Sequence, residues 1–243
     1  MKDGVIIILA SRFDPVADAL VERWQSCHAL RMTCADLSRA GWSIDNGGDG
    51  DACIAGRRIA CGDIRGVINR LPYVTPTELP HIAPHDRDYV AMEMSMFLLA
   101  WLTGLRCPVL NRPTPNCLIG PNWRELQWMQ AAASVGMDVR PIVRRAPSAP
   151  ATEERYTGVR RVVTVVGDEC PLEQAPLLSS RAVALARKAN VELLDVTFET
   201  LGTESRFIAA GLCPDISHPL LADALLARLG IQSTLNVEAG SAP

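Results

Sequence analysis

The run Val5-Ile6-Ile7-Ile8-Leu9, entered from Met1-Lys2-Asp3-Gly4 and followed by Ser11-Arg12-Phe13-Asp14-Pro15, constrains this chain more than any other stretch. A short unbroken apolar run rich in β-branched residues is a strand buried on both faces, as in a parallel sheet. It is too short to span a bilayer, and no small-residue cleavage site follows it. Asp14 suits the N-cap of a helix and Pro15 its first position. Apolar residues at positions 16, 20, 21 and 24 then keep helical spacing through Val16–Ala29. The chain therefore opens as strand–loop–helix, the start of a βαβ unit.

The same alternation continues. Asn46–Asp51 reads as a tight hairpin turn; a phosphate loop would need a helix directly after it. Two short strands, Ala52–Ala55 and Arg58–Cys61, follow instead, and Gly66–Arg70 is a second parallel-type strand. The proline-rich loop Leu71–Pro84 leads to a helix at Tyr89–Thr103, opened by Asp86 or Asp88 and closed by Gly104. Pro108–Asn111 is a strand, Trp123–Val135 a helix ended by Gly136, and Val139–Val143 a strand. Residues 144–160 change character to arginine, proline and alanine and read as a linker. Beyond it come a strand at Arg161–Asp168, a helix from Ser179 or Ser180 to Ala189, antiparallel strands at Val191–Phe198 and Arg206–Ala210, and a last helix at Ile216–Leu229 ended by Gly230. Residues 231–243 read as a tail.

Of the 243 residues, 48% are hydrophobic, enough for one large or two small cores. The net charge of −3 and the absence of any block of like charge give no footprint for nucleic acid or an anionic membrane. The eight cysteines are scattered singly, without a CxxC pair, as in a reduced cytoplasmic protein. His81 and His85 have metal-compatible spacing, but Pro80 and Pro84 disfavour the helix that would align them, and no acid or cysteine completes a set. No metal and no cofactor are expected.

In order, Val67-Ile68-Asn69-Arg70, Asp86-Arg87-Asp88-Tyr89, Glu93, Trp101-Leu102 and Pro108-Val109-Leu110-Asn111-Arg112-Pro113 resemble the N-terminal domain of ATP-grasp ligases. The ribosomal-protein glutamate ligases and peptide-maturing ligases are the nearest in flavour. The helix Trp123–Val135, the segment Gly136–Pro141, Ser180–Phe198 and Arg206–Ile216 resemble later elements of the same family. The resemblance covers most of residues 60–143 and 160–229. It implies an α/β fold: an N-terminal open βαβ domain over residues 1–115 and a reduced ATP-grasp-like part over 116–230, interrupted by the linker 144–160.

The departures carry as much information. In the family, an ATP-clasping subdomain with phosphate-binding lysines occupies the interval filled here by 144–160, a segment without lysine. The family's magnesium ligands fall on Thr197, Ala209 and Gly211. Alanine and glycine offer no side-chain oxygen to a hard cation, and phosphoryl transfer rests on such positioning and charge neutralisation. The resemblance thus implies a non-catalytic, ligase-related protein that acts as a binding or scaffolding partner. The alternatives are a ligase component completed by a partner subunit and a small-anion-binding regulator.

The candidate ligand site is the crevice at the carboxyl ends of the parallel strands, lined by Asn69, Arg70, Glu93, Asn111 and Arg112. Two arginines there would clamp a carboxylate or phosphate. The bland alternative is that each arginine pairs with Asp86, Asp88 or Glu93. Glu93, on an otherwise apolar helix, is expected to be half-buried and paired with Arg70. Ser11–Asp14 is the other loop facing the crevice. A protein partner or homodimer is expected to cover the helix Trp123–Val135 and strands 191–210, with Trp123 and Trp128 at that surface or in the core.

Overall fold

A computed structural model describes residues 4–45, 49–139, 158–202 and 204–231. The chain forms two compact units, Met1–Asn122 with Asp215–Pro243, and Trp123–Pro214.

The first unit contains β1 (Val5–Leu9), α1 (Pro15–Arg23), β2 (Ala29–Met32), β3 (Ser43–Ile44), β4 (Gly50–Ile54), β5 (Arg57–Ala60), β6 (Ile64–Asn69), α2 (Arg87–Gly104) and β7 (Val109–Leu110). Its main sheet has the order β2-β1-β6-β7, parallel throughout. The apolar opening strand sits inside it, with Ile6 to Leu9 inaccessible to solvent. Asp14 caps α1 by accepting from the Val16 N–H at 3.0 Å, with Pro15 opening the first turn. The helix ends at Arg23, six residues earlier than the apolar spacing suggests. A tight turn over Gln25–Cys27 and a left-handed His28 redirect the chain into β2, a four-residue strand with no flanking glycine or proline to announce it. β3, β4 and β5 form a separate antiparallel sheet. Positions 46–48 of the expected hairpin turn lie outside the described residues.

Helix α2 is apolar on almost every side. Ala91, Leu98, Trp101 and Leu102 enter the core, and Trp42 meets Phe97 and Trp101 edge-on at 5.4 Å. Tyr89, Met92 and Met96 remain more than half exposed.

The second unit contains α3 (Glu125–Ser134), β8 (Asp138–Val139), β9 (Val159–Val166), α4 (Pro176–Ala189), β10 (Leu193–Leu201) and β11 (Glu204–Gly211), with sheet order β8-β11-β10-β9. The antiparallel pairing of β10 with β11 is as the sequence suggests. Most of the expected strand Val139–Val143 and of the linker 144–160 lies outside the described residues.

The last helix, α5 (Pro219–Arg228), belongs to the first unit and not to the second, as its place in sequence had suggested. The reason is local. Gly66 leaves a gap in β6 that the Leu229 side chain fills; a Cβ there would stand 2.6 Å from Leu229 Cδ2. Arg23 of α1 also reaches Asp223 at 3.1 Å. No helix among the described residues is long and apolar enough to cross a membrane.

Candidate functional site

In the first unit, the loop after β1 and the carboxyl ends of β6 and β7 bring Ser11, Asp14, Asn69, Arg70 and Asn111 to one edge of the parallel sheet, where open α/β sheets bind ligands. Arg70 is 7% exposed and forks onto Asp14, with Nε to Oδ2 at 2.6 Å and Nη2 to Oδ1 at 3.4 Å. Asn69 is buried and spent on the chain itself: its Nδ2 donates to the Leu118 carbonyl and its Oδ1 accepts from the Leu71 N–H. Asn111 is likewise buried. The Asp215 carboxyl lies below the usual carboxylate range, chiefly because the Ser217 hydroxyl and N–H donate to it and, to a lesser extent, because Arg70 attracts it.

Two sequence expectations change here. Glu93 is not paired with Arg70; it is exposed on α2, beside Arg39, Trp42 and Phe97 in a depression of about 410 Å³. Asp14 holds Arg70 instead, because the α1 N-cap already stands at the same sheet edge. Arg112 is exposed and turns back to donate to the Cys107 carbonyl at 3.1 Å. A second carboxylate was not legible in the sequence. Glu78 is 6% exposed and accepts from Ser11 Oγ at 2.5 Å and from the Arg12 N–H at 3.3 Å. A single glutamate inside a proline-rich loop carries no periodic signal that would mark it as buried.

In the second unit, one face of the sheet is covered. Val163, Val165, Leu194, Val196, Phe198 and Phe207 point into a core closed by α3 and α4. The alternate residues form the other face. Thr197 lies directly across from Ala209 and Asp195 from Gly211, while Val162 and Thr164 of β9 lie across from Thr197 and Asp195. Residues opposite one another, or two apart on a strand, share a face. The three positions singled out in the sequence therefore come together, and no helix or strand of this unit covers them among the described residues. They present one hydroxyl, one methyl and one bare backbone. Two carboxylates of β10 flank Thr197 on this face: Asp195, which accepts from Thr164 Oγ1 at 2.5 Å, and Glu199, which is 2% exposed and accepts from the Gly158 N–H at 3.2 Å. The whole chain contains two lysines, Lys2 and Lys188. Lys188 lies beside Trp123, Gln127 and Gln130 in a groove of about 270 Å³ formed with α3, a helix on the covered side of the sheet. Trp128 is 6% exposed and part of the core, meeting Trp123 edge-on at 4.9 Å. It is not a surface residue open to a partner.

This architecture is the ATP-grasp fold. The ATP-grasp ligase PsnB complexed with a minimal precursor superposes with a TM-score of 0.69 at 14% identity, covering 93% of this chain and 99% of that one. The macrocyclase MdnC bound with the precursor peptide MdnA, from Microcystis aeruginosa MRC, gives 0.65 at 10% identity, covering 91% and 98%. A RiPP-associated ATP-grasp ligase from Chryseobacterium gregarium, in complex with ADP and a leader and core peptide, gives 0.66 at 9% identity, covering 93% and 96%. At these identities the likeness is one of fold. No family model and no curated protein matches the sequence.

Proposed function

We propose that this chain is a non-catalytic protein of the ATP-grasp fold that binds a protein or peptide partner. The observation that carries this reading is the set of residues at Thr197, Ala209 and Gly211, which share one face of the second sheet. Where magnesium needs carboxylate and amide oxygens in a near-octahedral set, Thr197, Ala209 and Gly211 supply a single hydroxyl between them. Magnesium–ATP does not fit those three positions, and the carboxylates flanking Thr197 are engaged, Asp195 by Thr164 and Glu199 by the Gly158 N–H. The triphosphate would also lack lysines to neutralise it, since Lys188 sits on the helix side. Several proteins of this fold were solved with a precursor peptide, which favours peptide docking as the property retained. None of the eight cysteines is disulfide-bonded, in keeping with a reducing, cytoplasmic setting.

Calorimetry of the purified chain with ATP and magnesium tests the reading. No saturable heat is expected. Micromolar binding would overturn it in favour of a ligase component, and amide formation that appears only with a second subunit would favour the partner-completed alternative. The anion-binding reading at Asn69, Arg70, Asn111 and Arg112 draws less support, because Arg70 is paired with Asp14 and Arg112 with a backbone carbonyl. Self-association is a second reading, favoured by Tyr89, Met92 and Met96 on α2 and no longer by α3, whose Trp128 is buried.

A further inference from the structure

The depression of about 410 Å³ in the first unit is lined from two sides, by residues 37–42 ahead of β3 and by one turn of α2. Its floor is apolar. Leu37, Trp42, Met94 and Phe97 pack on the first unit's core and remain partly exposed where they line the depression. The floor is held in place by the fold itself. The Trp42 indole N–H donates to the Asp36 carbonyl at 2.9 Å, and its ring meets Phe97 and Trp101 edge-on at 5.4 Å. Preformed concave apolar surfaces with a few fixed polar groups are where proteins take ligands, and the volume lies within the usual range of about 300–1,000 Å³.

Two opposite charges border this floor without pairing with each other. Arg39 comes from the side of residues 37–42. Its Nε stands 3.7 Å from Asp36, a buried carboxylate already held by the Thr33 and Ala55 N–H groups, and its side chain is 57% exposed. Glu93 comes from the helix side, is exposed, and has no ion-pair partner among the described residues. Each charge is therefore presented to whatever lies on the floor between them.

We infer that this depression holds an aromatic side chain of the peptide partner, flanked on one side by an acidic residue directed at Arg39 and on the other by a basic residue directed at Glu93. The inference rests on the partner-binding reading above and specifies what the partner carries. The ring suits a floor of aromatic edges and methionine, where ring–ring and sulfur–ring contacts add to apolar burial. The flanking charges follow from complementarity. A wholly acidic segment meets Glu93, and a wholly basic one meets Arg39, so both are disfavoured. In an extended peptide, alternate side chains share a face, which puts the two charges two residues before and after the aromatic anchor.

The test uses the full chain and two fluorescein-labelled heptapeptides, followed by anisotropy. Both have phenylalanine at the centre, with glutamate and lysine two residues to either side in the two possible orders. Saturable binding of at least one order is expected. Replacing the phenylalanine by alanine should weaken it at least about tenfold. Glu93→Lys should weaken it about threefold with an unchanged circular dichroism spectrum, and a peptide whose lysine is changed to glutamate should recover that loss. Arg39→Gln should weaken binding by a similar factor, and should make no difference to a peptide whose glutamate is replaced by glutamine. A purely structural role for Arg39 or Glu93 would not produce these peptide-dependent recoveries. Absence of saturable binding of both peptides, binding indifferent to the phenylalanine, or losses that the matched peptides do not recover would each overturn the assignment. So would a second copy seated in the depression, seen as a Glu93-dependent dimer in light scattering. Failure of the peptides together with failure of magnesium–ATP to bind removes this site alone. Binding of magnesium–ATP alongside the peptides removes the non-catalytic reading alone.

Discussion

Arg70 and Asp14 meet through two hydrogen bonds across 56 residues of sequence, with side chains 6% and 14% exposed. This pair ties the loop after β1 to the end of β6, so it fixes the carboxyl-end edge of the parallel sheet. Removing Asp14 strips the buried guanidinium of the carboxylate that holds it by two hydrogen bonds. Asp14→Ala should therefore cost about 3–5 kcal/mol, read as a lowered urea midpoint. A change below about 0.5 kcal/mol would mean that water already compensates the guanidinium.

Much of the first unit was legible from residues alone. Five consecutive apolar residues bounded by a cap and a proline leave few choices, and β1, β6 and β7 lie in one sheet as expected. The partners of the charged residues were not legible. The sequence offers Asp86, Asp88 and Glu93 as mates for its arginines, and Asp14 only as a helix cap; the three-dimensional course of the loop is what brings Asp14 to Arg70. The burial of Glu78 and the docking of α5 against Gly66 are likewise settled by contacts distant in sequence. In the second unit the positions Thr197, Ala209 and Gly211 could be picked out one by one, but their shared face depends on strand register.

Trp128 offers a clear separation of core from surface. It packs with Ala132, Val163 and Leu194 in the second unit's core. Trp128→Ala should destabilise the chain by about 3–5 kcal/mol, and Trp128→Lys should abolish its cooperative unfolding. A folded, stable Trp128→Lys protein would return this residue to the surface.

Self-association, if it uses α2, must respond to a charge on the exposed stripe. Met96→Glu should lower the weight-average mass in concentration-dependent light scattering while leaving the urea midpoint within about 0.5 kcal/mol of wild type. A mass independent of both concentration and Met96 would leave α2 without that role.

Three thiols set the alkaline limit of stability. Burial pushes Cys34 up to about 12, and Cys107 and Cys170 up to about 11, from 9.0. The unfolded chain sheds these protons near pH 9 while the folded chain retains them. Above that point the unfolded state binds fewer protons, so stability falls as pH rises. The contribution is complete below pH 9 and is lost as pH rises towards about 11–12. Urea midpoints should decline steadily between about pH 9 and about pH 10.5, and Cys34→Ala should flatten the slope. A pH-independent midpoint across that range would show that these thiols are not protected by the fold.

The return of α5 to the first unit has a consequence for synthesis. Gly66 and its neighbours in β6 emerge from the ribosome well before Leu229, the residue that packs on them. Residues 123–214, which form the other unit, are translated in between. At about 5–20 residues per second, the nascent first unit waits roughly 5–20 s for its closing helix. During that interval the surface destined for α5 stands bare, and the inserted unit can fold before the unit that encloses it in sequence is finished.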